Sequence, residues 1–192
     1  MKQSEADLLA LLAVDLESNF QDLVAAYQHR LFAFIFRQTG SRQDAEDIVQ
    51  ETFLHAYFAL GNYPVWRIQT LKLLPWLFRI ALNIFYSQQR ATKVASVPLD
   101  LSEGWPQLEM ADDREQPDAA LEKREEIQTL QAYLTDLPGP YREAINLYYF
   151  EGLRYQEIAE LLNIPIGTVK SNLHRGLRLL RRGFETHRKE MR

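Results

Sequence analysis

Apolar residues recur at helical spacing along almost the whole chain, and one stretch interrupts the pattern. Spacings of three and four residues dominate, whereas runs that alternate with period two, as strands do, are few. The interruption runs from Val94 to Pro117 and contains Pro98, Pro106 and Gly104. No helical period survives there, which is typical of a linker. The sequence therefore predicts an all-α fold with two helical units.

The predicted boundaries divide the chain of 192 residues into three parts. Residues 1–93 and 120–192 are expected to form small helical domains, and residues 94–119 a flexible acidic linker. Residues 97–120 hold one basic and seven acidic side chains, a net charge of −6, whereas residues 168–192 hold eight basic and two acidic ones, a net charge of +6. This asymmetry favours two different partners, one of them a polyanion, although solvated charged faces explain it equally well.

Composition and motifs exclude several classes of protein. The absence of cysteine excludes a disulfide framework, a thiolate zinc site and a cysteine nucleophile. The apolar run Leu8–Val14 is far shorter than the roughly 20 residues that a bilayer span needs, and residues 1–7 make a poor signal peptide. We find no phosphate-binding, metalloprotease or hydrolase motif. We expect a cytoplasmic protein without membrane insertion, catalytic residues, metal or cofactor.

The carboxyl-terminal unit carries a helix-turn-helix pattern. A helix is predicted over residues 140–150, with Gly152 suited to its carboxyl end. The next helix begins near residue 154 and stops before Pro165. A third helix is predicted from residue 168 to about residue 182.

Opposite arcs of this third helix differ in polarity: one is apolar and the other is polar and cationic. The arc expected to face the core comprises Val169, Leu173, Gly176, Leu177 and Leu180. On the other arc, base-edge contacts are assigned to Lys170, Ser171, His174 and Arg175, and phosphate contacts to Arg178, Arg181 and Arg182. A solvated, arginine-rich face is the alternative, but the turn, the caps and the positive charge together favour DNA binding.

Residues 41–58 predict a helix with two apolar faces, entered at Ser41 or Arg42. The buried stripe is expected to comprise Ala45, Ile48, Val49, Thr52, Phe53 and Ala56. A second arc mixes acids with large apolar groups and comprises Asp47, Gln50, Glu51, Leu54, Tyr57 and Phe58. Such a mixture is typical of a protein docking patch. In the alternative, which the helical wheel slightly favours, residues 8–16 cover Leu54 and Phe58.

Pro75 begins a further helix, predicted over residues 75–90, with Leu77, Ile80, Ala81 and Ile84 pointing inward. Its other side carries Trp76, Arg79, Asn83, Tyr86 and Arg90, and the preceding loop adds Tyr63, Trp66 and Arg67. Aromatic rings beside arginine and asparagine suit single-stranded nucleic acid, because rings stack on unpaired bases and guanidinium groups hold phosphates. An ordinary role for Trp76 and Tyr86 in the core explains the pattern equally well.

Three segments together resemble a known family. DAEDIVQETFLHAY (44–57) is similar to the core-polymerase-binding helix of extracytoplasmic-function (ECF) sigma factors, which are two-domain bacterial initiation factors of the sigma-70 family. PWLFRIALN (75–83) resembles their promoter-melting helix. Residues 137–181, including GLRYQEIAELL and GTVKSNLHR, resemble their carboxyl-terminal domain and are the most specific match.

The resemblance implies a role for each matched surface. The residues implied to contact the largest subunits of core RNA polymerase are Asp44, Asp47, Ile48, Gln50, Glu51, Phe53, Leu54, Tyr57 and Phe58. Those implied to capture the melted strand of the minus-ten element are Tyr63, Trp66, Arg67, Trp76, Arg79, Asn83, Tyr86 and Arg90. Those implied to bind the duplex minus-thirty-five element are Thr168, Lys170, Ser171, Asn172, His174, Arg175 and Arg178. The acidic linker would thread the polymerase channel later taken by RNA.

The chain departs from the family pattern at several positions. Leu82 stands where a basic residue is common, Ser87 where an acid is common, and the segment 88–93 is only thinly cationic. These departures predict weaker or differently specific contacts with the melted strand. Asn172 stands where arginine is frequent, so the family's upstream promoter sequence is not carried over.

The resulting hypothesis is a non-enzymatic transcription initiation factor that binds core RNA polymerase, directs it to promoter DNA and promotes melting. Family members are often held by an anti-sigma protein, which makes an anti-sigma factor a candidate partner. The alternative is a helix-turn-helix regulator that acts without polymerase docking. An enzyme is disfavoured, because Asp44, Asp47 and Glu51 on one helix face are more simply solvated or salt-bridged.

Overall fold

A computed structural model describes residues 4–94 and 130–190, with side chains placed over 4–91 and 130–185. The predicted linker, apart from Val94, and residues 120–129 of the predicted second domain lie outside the described residues. Within the described ranges the chain is helical and contains no β-strand, so the predicted all-α class is confirmed. We call residues 4–94 the N-terminal unit and residues 130–190 the C-terminal unit.

The N-terminal unit consists of helices α1 to α5, with bounds Glu5–Val14, Leu16–Thr39, Arg42–Gly61, Val65–Gln69 and Leu73–Val94. Helix α3 packs on both α2 and α5, while α1 packs on α2 and α4. Ser41 caps α3, because its side chain accepts a hydrogen bond from the Asp44 backbone N–H. The predicted stripe of α3 is buried as expected, from Ala45 to Ala56. The same capping chemistry begins α1, where Ser4 and Asp7 form a capping box.

The C-terminal unit begins with α6, described over 130–136, followed by α7 (Gly139–Ile145) and a π-helical turn (Asn146–Phe150). Helices α8 (Tyr155–Leu162) and α9 (Ile166–Glu190) complete it. The predicted helix 140–150 is therefore present, but its last turn widens into a π turn. Gly152 follows that turn with a φ of +71°, a conformation that glycine adopts without steric cost.

The turn between α8 and α9 is closed by Asn163, which has a left-handed φ of +54°. Asparagine is one of the few residues that tolerate this conformation. The backbone N–H groups of Asn163 and Ile164 both donate to the carbonyl oxygen of Ala159, which ends α8. Helix α9 begins at Ile166, two residues earlier than predicted, and continues to Glu190. Its predicted inward arc is buried at Val169, Leu173 and Leu180, with Gly176 against Ile145.

Leu177 is a correction to that inward arc, because 40% of its surface is exposed. It lines a shallow apolar cleft with Tyr149 and Phe184. At 100° per residue Leu177 lies at the edge of the arc, and a wheel does not separate an edge position from a buried one.

Candidate functional site

The second arc of α3 is an open surface. Leu54 is 54% exposed and Phe58 66% exposed, so the N-terminal segment does not cover them. Helix α1 packs instead on α2 and α4. Leu54 and Tyr57 line an apolar cleft together with Phe20, whose ring meets that of Tyr57 edge to face at 5.0 Å. We call this cleft and its exposed rim the docking patch; its residues are Phe20, Val24, Gln50, Leu54, Tyr57 and Phe58.

Acidic side chains flank the docking patch. Asp44 and Asp47 are exposed. Burial raises the pKa of the Asp47 carboxyl, and repulsion from Asp44 and Glu46 raises it further. This clustering of acids produces a negative potential beside the apolar cleft. The combination fits a protein partner that presents apolar side chains rimmed by cations.

Two of the residues assigned to polymerase contact lie in the core. Ile48 is 1% exposed and Phe53 6% exposed, because both belong to the stripe that packs on α2 and α5. Both hold α3 in place, and Phe53 also lines the apolar cleft beside Leu54 and Tyr57. Glu51 is half-buried and joins α3 to α5, since the Gln88 side-chain amide donates to its carboxylate at 3.1 Å.

Helix α5 presents its polar arc to solvent. Arg79, Asn83 and Arg90 are exposed, and Trp76 and Tyr86 are half-buried. Both rings pack against the core but leave part of their surface open. Their placement is therefore intermediate between the two roles considered from the sequence, a core residue and a contact for nucleic acid. Asn83 is therefore available to a ligand.

A cleft between α3 and α5 brings Asn83 beside aromatic rings. Tyr63 and Trp76 line it together with Asn83 and Glu51, and the two rings lie 6.2 Å apart. The Arg67 guanidinium lies 3.9 Å from the centre of the Tyr63 ring. We call this the strand cleft. Its rings can stack on an unpaired base, and its amide can read a base edge.

Trp66 stands outside the strand cleft on the short helix α4. It is 68% exposed, the most exposed aromatic side chain among the described residues. A tryptophan is seldom left in water without a partner, because it carries a large apolar surface. Its position beside Arg67 suits a second stacked base.

The outward face of α9 is open and basic. Thr168, Lys170, His174, Arg175 and Arg178 are exposed, and Ser171 is half-buried. Asn172 differs from the rest of the predicted set, because it is only 8% exposed. The face therefore carries exposed cations of the kind with which a recognition helix contacts DNA in a major groove.

Comparison with known proteins identifies the family. The family described as Sigma-70 region 2 matches residues 23–94, and that described as Sigma-70, region 4 matches residues 127–180. The chain belongs to the sigma-70 family. This sigma factor is 34% identical over 167 residues to the ECF RNA polymerase sigma factor SigW of Bacillus subtilis, covering 85% of this chain and 87% of that protein. It is 33% identical over 160 residues to the RNA polymerase sigma-H factor of Pseudomonas aeruginosa, covering 81% of each chain.

A solved structure is also similar to this sigma factor. The sigma factor RpoE in complex with the anti-sigma factor NepR, from Bartonella quintana, superposes with a TM-score of 0.63 at 25% identity. The match covers 87% of this chain and 97% of that chain. The chain is thus an ECF sigma factor, a non-enzymatic transcription initiation factor that binds RNA polymerase and promoter DNA.

Among the side chains that the structure describes, at 4–91 and 130–185, no group of three or more histidines and acids could hold a metal ion. In the part of the chain that the structure describes, no helix has the length and apolarity that crossing a bilayer requires.

Sequence reasoning missed a polar network that joins the two units. The Glu151 carboxylate accepts hydrogen bonds from Arg30 at 2.8 Å and from Arg37 at 2.6 Å. Asn146 accepts from Arg37 at 2.6 Å and donates to the Phe34 carbonyl oxygen at 2.9 Å. More than 100 positions separate the partners, so no local pattern links them. We call these groups the Glu151 clasp.

Proposed function

We propose that the sigma factor divides promoter opening among three surfaces. The docking patch and its acidic rim bind core polymerase, the strand cleft traps bases of the minus-ten element once they are unpaired, and the outward face of α9 holds the minus-thirty-five duplex. Residues 1–93 would carry the first two tasks and residues 120–192 the third. The linker 94–119 would span the polymerase between them, in the cytoplasm, where bacterial transcription takes place.

One observation carries this proposal. Glu51, on the docking helix, and Asn83, on the strand helix, line the same cleft. A polymerase held by α3 therefore lies directly beside the site proposed for the unpaired base. Trapping an unpaired base favours the open promoter by differential binding, because the cleft gains contacts only when the base has left the stack.

Reconstituted run-off transcription with core polymerase and a promoter library tests the division of tasks. Asp47→Lys with Glu51→Lys should abolish polymerase binding and all transcription. Asn83→Ala should leave polymerase binding intact and reduce opening, and Arg175→Ala should reduce upstream duplex binding. If only the α3 variant reduced transcription, the chain would occupy polymerase without reading a promoter, and the proposal would be wrong.

We also propose that an anti-sigma factor binds this chain. Support comes from the similar RpoE structure, which was solved with its anti-sigma factor bound. The exposed apolar residues of the docking patch suit such a partner, since an inhibitor that covered Leu54 and Phe58 would compete with core polymerase. Co-purification of a partner that core polymerase displaces would support this assignment, whereas a partner that binds together with core polymerase would contradict it.

A further inference from the structure

Helix α1 lies outside the segment that matches the family, yet it contacts two of the elements around the strand cleft. The match to Sigma-70 region 2 begins at residue 23, whereas α1 comprises Glu5–Val14. Three of its leucines are buried, and it packs on α4, whose Arg67 lies over the Tyr63 ring of the strand cleft. The second contact of α1 is polar and reaches the start of α5.

Helix α5 begins at Leu73, and the residue before it cannot cap it. That residue is Lys72, whose ammonium donates hydrogen bonds and cannot accept one. Thr70, the hydroxyl next upstream, donates to the carbonyl oxygens of Trp66 and Arg67 on α4. The first N–H groups of a helix have no acceptor within the helix, so the Leu73 N–H needs an acceptor from elsewhere.

Glu5 supplies that acceptor from α1. Its carboxylate accepts a hydrogen bond from the Leu73 N–H at 3.0 Å, across 68 positions of sequence. The Tyr27 hydroxyl of α2 donates to the other carboxylate oxygen at 3.4 Å. Burial raises the pKa of Tyr27 to about 12, and the Glu5 charge adds to that effect, so the hydroxyl stays a donor. A negative charge at the first turn of a helix also interacts favourably with the helix dipole.

This cap acts on the turn that carries Trp76. The Trp76 backbone N–H donates to the Lys72 carbonyl oxygen at 3.1 Å, which places Trp76 in the first turn of α5, and its ring lines the strand cleft. Asn83 lies about 15 Å further along the helix, because each residue adds about 1.5 Å. Fraying of the first turn should therefore displace the Trp76 ring and leave Asn83 in place.

We propose that Glu5 is a positioning residue for the strand cleft: by capping α5 from α1, it holds the Trp76 ring in the orientation that stacks on an unpaired base. This inference rests on the proposed strand site. Glu5 is itself exposed and belongs neither to the docking patch nor to the outward face of α9. Its removal should therefore weaken trapping of the melted strand and leave polymerase binding and duplex binding unchanged.

Hydrogen exchange of the full chain, resolved by residue with NMR, tests the cap. Glu5→Ala should speed exchange of the Leu73 amide about tenfold, because loss of a capping acceptor destabilises the first turn by about this factor. Glu5→Gln keeps a carbonyl acceptor without the charge and should give an intermediate rate. Glu17→Ala is the matched control, because it removes an exposed acid from the first turn of α2. Unchanged Leu73 exchange in Glu5→Ala would overturn the proposal.

Promoter opening by the holoenzyme tests what the cap does. The probe is a promoter with a fluorescent base analogue in the minus-ten element, and anisotropy reports promoter binding in the same sample. Glu5→Ala should lower the equilibrium constant for opening roughly three- to tenfold, because stacking on one base is weakened but not lost. Glu5→Gln should fall between Glu5→Ala and wild type, and Glu17→Ala should open the promoter as wild type does.

Asn83→Ala separates this inference from the proposed strand site. If Asn83→Ala reduces opening but Glu5→Ala does not, the positioning role fails and the strand site stands. If Asn83→Ala has no effect, the strand site itself is wrong. A loss of core-polymerase binding in Glu5→Ala as large as its loss of opening would show that α1 supports the whole N-terminal unit, and this result would also contradict the proposal.

Discussion

The Arg37 guanidinium donates to the Glu151 carboxylate at 2.6 Å, and these two residues belong to different helical units. Arg37 lies on α2, which also packs on α3, the helix of the docking patch. Glu151 directly follows the π turn, and Asn146, at the start of that turn, contributes the adjoining hydrogen bonds. The contact therefore joins the unit that carries the docking patch to the unit that carries the outward face of α9.

Removal of apolar surface from the docking patch should weaken polymerase binding without unfolding the chain. Leu54 is 54% exposed, so Leu54→Asp costs little in the free protein. At the centre of an interface it should cost about 2 kcal/mol, or roughly thirtyfold in affinity for core polymerase. Val14→Asp is the control, because Val14 is 87% exposed on α1. Equal losses in both variants would show that Leu54 has no particular role.

The exposed cations on the outward face of α9 should make duplex binding depend on salt concentration. Arg178→Ala removes one exposed cation, so the slope of log affinity against log salt should become less negative by about 0.9. Affinity should fall to a similar extent on unrelated sequences, because a phosphate contact carries no base information. Arg42→Ala, on α3, should leave the slope unchanged. A sequence-dependent loss in Arg178→Ala would reassign this residue to base contact.

Burial of Glu143 should make stability depend on pH. Desolvation raises the pKa of its carboxyl from 4.5 to about 7, so between these values the folded chain holds a proton that the unfolded chain has lost. The free energy of unfolding should therefore fall as pH rises through this window and level off above it. Glu143→Gln should be more stable than wild type at pH 8, by up to roughly 3 kcal/mol, and equally stable near pH 4. A constant difference across pH, measured by urea unfolding, would contradict this.

Two glycines of α9 should respond in opposite ways to alanine. A Cβ at Gly176 would lie 2.6 Å from the Ile145 Cδ1 and 3.2 Å from the Tyr141 Cβ, so Gly176→Ala should destabilise the chain by about 1–3 kcal/mol. Gly167 has nothing within 4 Å of the same position, so Gly167→Ala should stabilise it by about 0.5–1 kcal/mol. Calorimetry of both variants measures the change in the free energy of unfolding, and equal changes in the two variants would contradict the close packing at Gly176.

Local chemistry made much of the fold predictable from the sequence. The cap at Ser41, the buried stripe of α3 and the end of α8 before Pro165 each depend on neighbours within a few positions. The π turn and α1 were not predicted. The capping box that begins α1 involves Ser4 and Asp7, which is a readable signal. The π turn has no comparable local signature.

The surfaces were predictable only in outline, because a helical wheel gives direction and not depth. It placed Asn83 and Arg175 correctly on open faces and Phe53 on the buried stripe, but it slightly favoured covering of Leu54 by residues 8–16, whereas Leu54 is exposed. The contact between the units depends on packing of distant segments, and no pattern in the sequence pairs Arg37 with Glu151. Residues that act between domains are therefore found from tertiary structure.

Strand opening in the assembled holoenzyme tests the division of tasks. A promoter that carries a fluorescent base analogue in the minus-ten element reports when that base leaves the stack, and anisotropy reports promoter binding in the same sample. We predict that Asn83→Ala binds the promoter as tightly as wild type does but gives a much smaller rise in base fluorescence. Arg175→Ala, in contrast, should already bind the promoter more weakly in the anisotropy measurement. Full opening by Asn83→Ala would contradict the assignment of the strand cleft.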